Sequence, residues 1–212
     1  MKETIGKIFI ILAILILSNN CNKERILGEK LLSPEILSSL PFKGTETLVF
    51  IKDIDTLRLK CEFLREEKVK EYPTNDSRDY YILERIHTLF RGNQFILSME
   101  IITEVRDKAP KLLISFVDTT DWSIDCTEGW WLPLDTSSLT SNQWFVNEMV
   151  VQSHHYDNVY CALTECSGNP QKHQSVIYYY TKENGLIKFE YEDGSAWELL
   201  EVEWCAYNNH NL

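Results

Sequence analysis

Proline and glycine are scarce, at six and eight residues in a chain of 212. That excludes collagen-like repeats and Pro/Gly-rich linkers, and with no internal repeat present the chain reads as one domain. Basic residues are also few, 21 Lys and Arg against 32 Asp and Glu, for a formal net charge of −11. No basic stripe breaks that excess. Such a surface repels phosphate backbones, so nucleic acid is not an expected partner. Several motifs are missing as well. The chain has no G-x-S-x-G elbow for a nucleophilic serine, no H-E-x-x-H for a zinc peptidase, no Walker loop and no Rossmann glycine fingerprint. It has no C-x-x-C pair, and Cys161-x4-Cys166 is too little by itself for a zinc site. Neither a metal nor a cofactor is expected.

Long apolar runs are nearly absent too, and the exception is informative. Lys2 and Lys7 precede an unbroken stretch from Ile8 to Leu17, followed by Ser18, Asn19, Asn20 and Cys21. The run is roughly ten residues, against about twenty needed to span a bilayer as a helix. A basic start, a short apolar core and a small polar break are the layout of a secretory signal. Leu17-Ser18-Asn19-Asn20-Cys21 resembles a relaxed lipobox, the sequence at which bacterial lipoproteins are cut and lipidated on cysteine. Residues 1–20 are therefore read as signal peptide, 21–33 as a lipidated tether and 34–212 as the folded domain. Acyl chains on Cys21 would supply the two signals that stable anchoring requires. The lipid bilayer is then an expected partner, and the expected address is the cell envelope, at the outer membrane. The leader carries Lys2, Lys7 and Glu3, a net +1, so the remainder carries −11 − 1 = −12. Anionic headgroups repel such a body, which leaves the holding to the lipid.

With Cys21 assigned to lipid, Cys61, Cys126, Cys161, Cys166 and Cys205 remain in an oxidising compartment. An odd count leaves at least one thiol free. Leu57, Leu59, Cys61 and Phe63 share one face by strand alternation, so Cys61 reads as a buried small hydrophobe and as the free thiol. Cys126, Cys161, Cys166 and Cys205 form the expected oxidised set, with the pairing open.

Ser33-Pro34-Glu35 offers an N-cap, a proline at the first helical position and an acid in the first turn, which predicts a short helix ending before Pro41. Period-two alternation then sets in. Strands are expected at Thr47–Ile51, from about Asp55 to Val69, at Tyr80–Phe90, Gln94–Val105 and Leu112–Val117. Others follow from Trp144, from Tyr156, over Val176–Thr181, Leu186–Glu192 and Ser195–Trp204. Asp193-Gly194 suggests a two-residue hairpin turn with positive φ values. Strands at this spacing, joined by short turns, predict a mainly β fold, a single antiparallel meander in a curved sheet or partly closed barrel.

Leu40-Pro41-Phe42-Lys43-Gly44-Thr45-Glu46-Thr47-Leu48-Val49-Phe50 has the form P-x-K-x-G-x-x-L-x-F. Tyr156-Asp157-Asn158-Val159-Tyr160 has the form Y-x-N-V-Y. Tyr179 to Phe189 has the form Y-Y-x-K-x-x-G-L-I-x-F and is followed by Trp197-Glu198-Leu199. In this order behind a lipobox, the three segments resemble small, uncharacterised lipoproteins of Bacteroidota-type cell envelopes. The resemblance covers about a third of the mature chain, and it implies an envelope address and a β architecture. It brings no catalytic residues.

Asp118 to Gln143 stands apart from that pattern. It is rich in Thr, Ser and Asp, lacks periodicity, and reads as a long loop with one short strand near Trp130–Leu134. Trp122, Trp130 and Trp131 lie in it beside Asp125 and Glu128. Tryptophan faces rimmed by carboxylates suit carbohydrate, and these five residues form the candidate ligand site. The competing reading is that the tryptophans plug an end of the sheet. His154-His155 point to opposite faces of a strand and so make a poor metal pair. Glu190, Glu192, Asp193, Glu198, Glu201 and Glu203 gather near one hairpin, and two of them facing across a cleft would suit glycoside hydrolysis. Two function classes emerge. One is an anchored envelope lipoprotein that binds carbohydrate or an envelope protein without catalysis. The other is an acid-based envelope hydrolase such as a glycosidase.

Overall fold

The computed structural model of the chain describes residues 24–74, 77–103, 109–119, 125–132, 134, 136–166 and 175–204, with only the backbone at residue 125. Strand alternation drives the architecture. In β5 (Phe95–Ile102), Phe95, Leu97, Met99 and Ile101 are buried while their neighbours are half-exposed. β6 (Lys111–Asp118) repeats this with Leu112, Ile114 and Phe116. β2 (Glu46–Lys52), β3 (Asp55–Glu71) and β4 (Asp79–Arg91) precede them. β7 (Asp125–Trp131), β8 (Gln143–Val151), β9 (His154–Glu165), β10 (Ser175–Thr181), β11 (Gly185–Tyr191) and β12 (Ala196–Trp204) follow.

These eleven strands form one antiparallel sheet in the order β7-β6-β5-β4-β3-β2-β12-β11-β10-β9-β8. The first and last strands of the meander meet in the middle, where β2 and β12 pair along Glu46–Ile51. The two outer strands, β7 and β8, are consecutive in the chain. Counting alternate directions along the sheet makes them run the same way, so residues 132–142 must return from one end to the other. Parallel neighbours need a crossover of about a dozen residues or more, and no ladder joins β7 to β8. The result is a curved, mainly β sheet that does not close.

The concave side is filled with aromatic rings. Phe95 stacks on Phe116 at 4.9 Å, Phe116 meets Phe189 at 4.4 Å, and Phe189 contacts Phe50 at 5.4 Å and Trp197 at 6.4 Å. Each such ring contributes about 1.5–3 kcal/mol by leaving water.

A segment before β2 plugs one end. Ser33 caps α1 (Pro34–Leu37) by accepting from Ile36 N at 3.3 Å, and turns continue to Leu40. Leu32, Ile36, Leu40 and Phe42 all enter the core. Phe42 packs edge-on against Phe90 at 5.0 Å. It also covers Gly185, where a Cβ would stand 2.4 Å from its ring and where φ is +75°. Both facts require glycine there. The hydroxyl of Tyr180 donates to Ser39 O. Behind Phe42, Gly44 has φ +89°, and the buried Glu46 carboxylate accepts from the N–H groups of Lys43, Gly44 and Thr45, the latter two at 2.8 and 2.9 Å. Two of the three recognisable sequence segments are thus the two sides of one latch.

Three local features differ from the sequence reading. Part of the stretch read as tether is a strand: β1 (Arg25–Lys30) pairs in parallel with Asp79–Leu83 of β4. It uses the side of β4 that β5 leaves free beyond Ile86. The stretch read as a long loop contains β7, seven residues laddered to β6. In the β11–β12 turn only Gly194, at φ +80°, is left-handed, and Asp193 is not. The turn spans 192–195, closed by Tyr191 N to Ser195 O and by Gly194 N to Tyr191 O, both 2.9 Å.

Candidate functional site

The tryptophan segment is divided between two environments. Trp130 and Trp131 are neighbours on β7, so their side chains take opposite faces. Trp130 is 1% exposed and lies inside, 6.1 Å from the ring of Tyr180. Its Nε1 has no hydrogen-bond partner among the described residues. Trp131 lies half-buried on the outside, with Lys111 Nζ 4.3 Å from its ring centre. Glu128 is held by Gln143 Nε2 at 2.8 Å. Trp122 and the side chain of Asp125 lie outside the described residues. Of the five sequence candidates, Trp130 thus lies inside the sheet and Trp131 outside it.

What this region does build is a seam. Along β7, carbonyls accept from side chains of β8, β9 and β10. Tyr178 OH donates to Cys126 O at 2.6 Å, Thr164 Oγ1 to Thr127 O at 3.0 Å, and Gln143 Nε2 to Gly129 O at 2.7 Å. Tyr160 OH adds a bond to Leu134 O at 3.0 Å. A disulfide from Cys126 to Cys166 clamps the same edge.

The expected oxidised set needs correction at Cys161, which is free and buried. The reason is alternation. Tyr160 and Thr164 reach across to the β7 side through their hydroxyls, so Cys161 between them faces away, opposite Trp144 and Tyr179 in the ladder. Cys166, just past the strand, is the one that reaches Cys126. Cys61 is also free and buried, and Cys205 lies outside the described residues. Burial pushes the Cys161 thiol up to about 12, and burial together with the nearby Glu46 carboxylate pushes Cys61 up to about 11. Such thiols are poor nucleophiles at neutral pH.

Three of the hairpin acids, Glu190, Glu198 and Glu203, form ion pairs. Lys188 Nζ lies 2.9 Å from Glu190 and 3.5 Å from Glu198, with Tyr179 OH donating to Glu190 at 3.2 Å. One lysine therefore bridges the carboxylates of Glu190 and Glu198. Gln152, at the β8–β9 turn, donates to Glu198 at 2.7 Å, and Glu203 pairs with Arg58. His154 and His155 are exposed. His155 Nδ1 sits 2.8 Å from Glu148 Oε1, and His154 Nδ1 sits 3.1 Å from Gln152 O. No group of three or more His, Cys, Asp or Glu suited to a metal occurs among the described residues.

A cleft of about 380 Å³ opens at the end of the sheet opposite the plug, lined by Thr56, Leu57, Arg58, Asn93, Gln94 and Trp197. Three separate segments supply it: the start of β3, the β4–β5 turn and the start of β12. Trp197 stands between the core and this cleft. It contacts Phe95 at 6.2 Å on the inside, and Lys52 Nζ lies 5.7 Å from its ring. Around it stand two amides, a hydroxyl and the guanidinium of Arg58, which also pairs with Glu203, and no carboxylate is among the described lining residues. Such a lining can hold a small polar ligand by hydrogen bonds against an apolar floor. Sequence reasoning missed it, because none of the six residue types is unusual where it stands. Comparison of the chain with family models, curated proteins and solved structures finds no match.

Proposed function

We propose that the chain is a membrane-anchored envelope lipoprotein acting as a non-enzymatic binding module, with its ligand in the cleft beside Trp197. The leader and Cys21 support the anchored address. The cleft carries the binding reading, since it offers an aromatic edge, amides, a hydroxyl and a guanidinium without an acid pair. Acid catalysis on a glycoside needs two carboxylates on either side of the scissile bond, and Glu190 and Glu198 instead share one lysine. Carbohydrate is the ligand class that suits this lining, because its hydroxyls match amides and its C–H faces match an indole.

Calorimetric titration of the protein with envelope polysaccharide fragments tests the reading. Replacing Asn93 and Gln94 with Ala removes two exposed amides and leaves the core untouched. Affinity should fall about tenfold, as the loss of two ordinary hydrogen bonds predicts, with an unchanged melting curve. Binding of the same fragments at full strength by this double variant would place the ligand elsewhere.

A further inference from the structure

We infer that the arm built from β1 and the outer halves of β3 and β4 lies against the bilayer surface and holds the Trp197 cleft facing away from it. The inference rests on the anchoring at Cys21 proposed above. Its own foundation is that Glu24, Arg25 and β1, close behind the anchor, are bound to the body. Arg25 forms a two-point ion pair with Asp79, at 3.1 and 2.7 Å, on top of the β1–β4 ladder. Glu24 is gripped by Lys70 Nζ at 2.7 Å and by Tyr72 OH at 3.2 Å, and Lys70 in turn covers the Tyr80 ring at 4.2 Å. Arg25 holds the Asp79 carboxyl below its ordinary range, chiefly by hydrogen bonding.

The first described residue, Glu24, is thus fixed to the body, three residues after Cys21. Three residues span at most about 11 Å. An acylated cysteine sits at headgroup level, so the end of the arm is held within that distance of the membrane. The surface it presents fits the position. A register shift between Ile26 and Gly28 leaves Leu27 out of the ladder and turns both Ile26 and Leu27 outward. Ile26 is 53% exposed, Leu27 46% and Leu31 51%, and the exposed Tyr72 is bound to Glu24 at the arm's end. Apolar side chains next to a tyrosine suit the interface between headgroups and acyl chains, where shallow burial is favourable. Arg25 with Asp79 and Glu24 with Lys70 are already paired within the arm, which lowers the cost of approach. The Trp197 cleft sits at the other end of β3. From Arg58 to Lys70 the strand covers up to about 40 Å.

The test uses the full lipidated protein, reconstituted in vesicles of phosphatidylcholine and phosphatidylethanolamine. An environment-sensitive label is placed at Leu27→Cys in one preparation and at Ile54→Cys in another, both with Cys205→Ser. Cys61 and Cys161 are buried and do not compete. Ile54, 95% exposed at the β2–β3 turn, is the control at the cleft end. Quenchers carried on the lipids should remove about half or more of the emission at position 27 and about a tenth or less at 54. Vesicle-bound protein with no quenching at 27 would overturn the contact while leaving the anchoring intact. Protein that fails to float with vesicles would overturn both. Quenching at 54 would reverse the orientation. Emission at 27 that follows protein density instead of quencher would show that a second copy covers the face, which also overturns the proposal.

Discussion

The sheet has two junctions, and they are built on different principles. Where β2 meets β12, strands from opposite ends of the described chain join by a backbone ladder, braced by the Phe42–Gly185 contact and the Glu46 cap. Where β7 meets the β8–β10 edge, no ladder forms, and side-chain hydroxyls, an amide and a disulfide take its place. The difference follows from strand direction. β12 and β2 run antiparallel and can pair directly. β7 and β8 run the same way, and among the described residues no ladder joins them. A covalent clamp is found at the junction that has no ladder.

The largest expected effect breaks the first junction. Phe42→Ala leaves a cavity between Phe90 and Gly185 and should cost about 3–5 kcal/mol in denaturant unfolding. A loss under about 1 kcal/mol would mean that the plug is peripheral. Removing the clamp comes next. The Cys126–Cys166 bond closes a loop with a sequence separation of 40, and Cys126→Ser with Cys166→Ser should cost about 2–4 kcal/mol. The double variant also separates the two halves. Cys161 lies on β9 near the seam, whereas Cys61 lies on β3 beside the ladder junction. Native-state thiol labelling should accelerate at Cys161 and stay slow at Cys61, because opening at the seam is local. Equal acceleration at both would show that the seam opens only by global unfolding.

The same contrast marks what the sequence made legible. Strands around the ladder junction announce themselves: Leu57, Leu59 and Cys61, or Phe95, Leu97, Met99 and Ile101, alternate strictly and are buried as alternation requires. β7 reads Asp-Cys-Thr-Glu-Gly-Trp-Trp, with no alternation and a glycine in the middle, because its outer edge is held by partners from β8, β9 and β10. β1 reads Arg-Ile-Leu-Gly-Glu-Lys, and its main ionic partner, Asp79, lies 54 residues on. Neither partner set has a local signature. The division of Trp130 from Trp131 would have followed from alternation once the strand was recognised. The Trp197 cleft would not, since its lining comes from three segments of ordinary turn and strand residues that only the fold brings together.

The smallest predicted effects compare the junctions through one strand. Tyr178 and Tyr180 stand two apart on β10 and point the same way, one hydroxyl to each structure. Tyr180 donates to Ser39 O in the plug, and no other donor reaches that carbonyl among the described residues. Tyr178 donates to Cys126 O in β7. Thr127 and Gly129 turn their carbonyls to the seam, so alternation turns those of Cys126 and Glu128 towards β6. Cys126 O then keeps a ladder partner when the tyrosine hydroxyl is removed, whereas Ser39 O keeps none. Leaving a buried acceptor unsatisfied costs about 1–3 kcal/mol, while losing one of two bonds costs about 0.5–1.5. Tyr180→Phe should therefore destabilise more than Tyr178→Phe in paired urea titrations, with the ring packing unchanged in both. If Tyr178→Phe proves the costlier, β7 depends on its side-chain bonds more than on its ladder to β6.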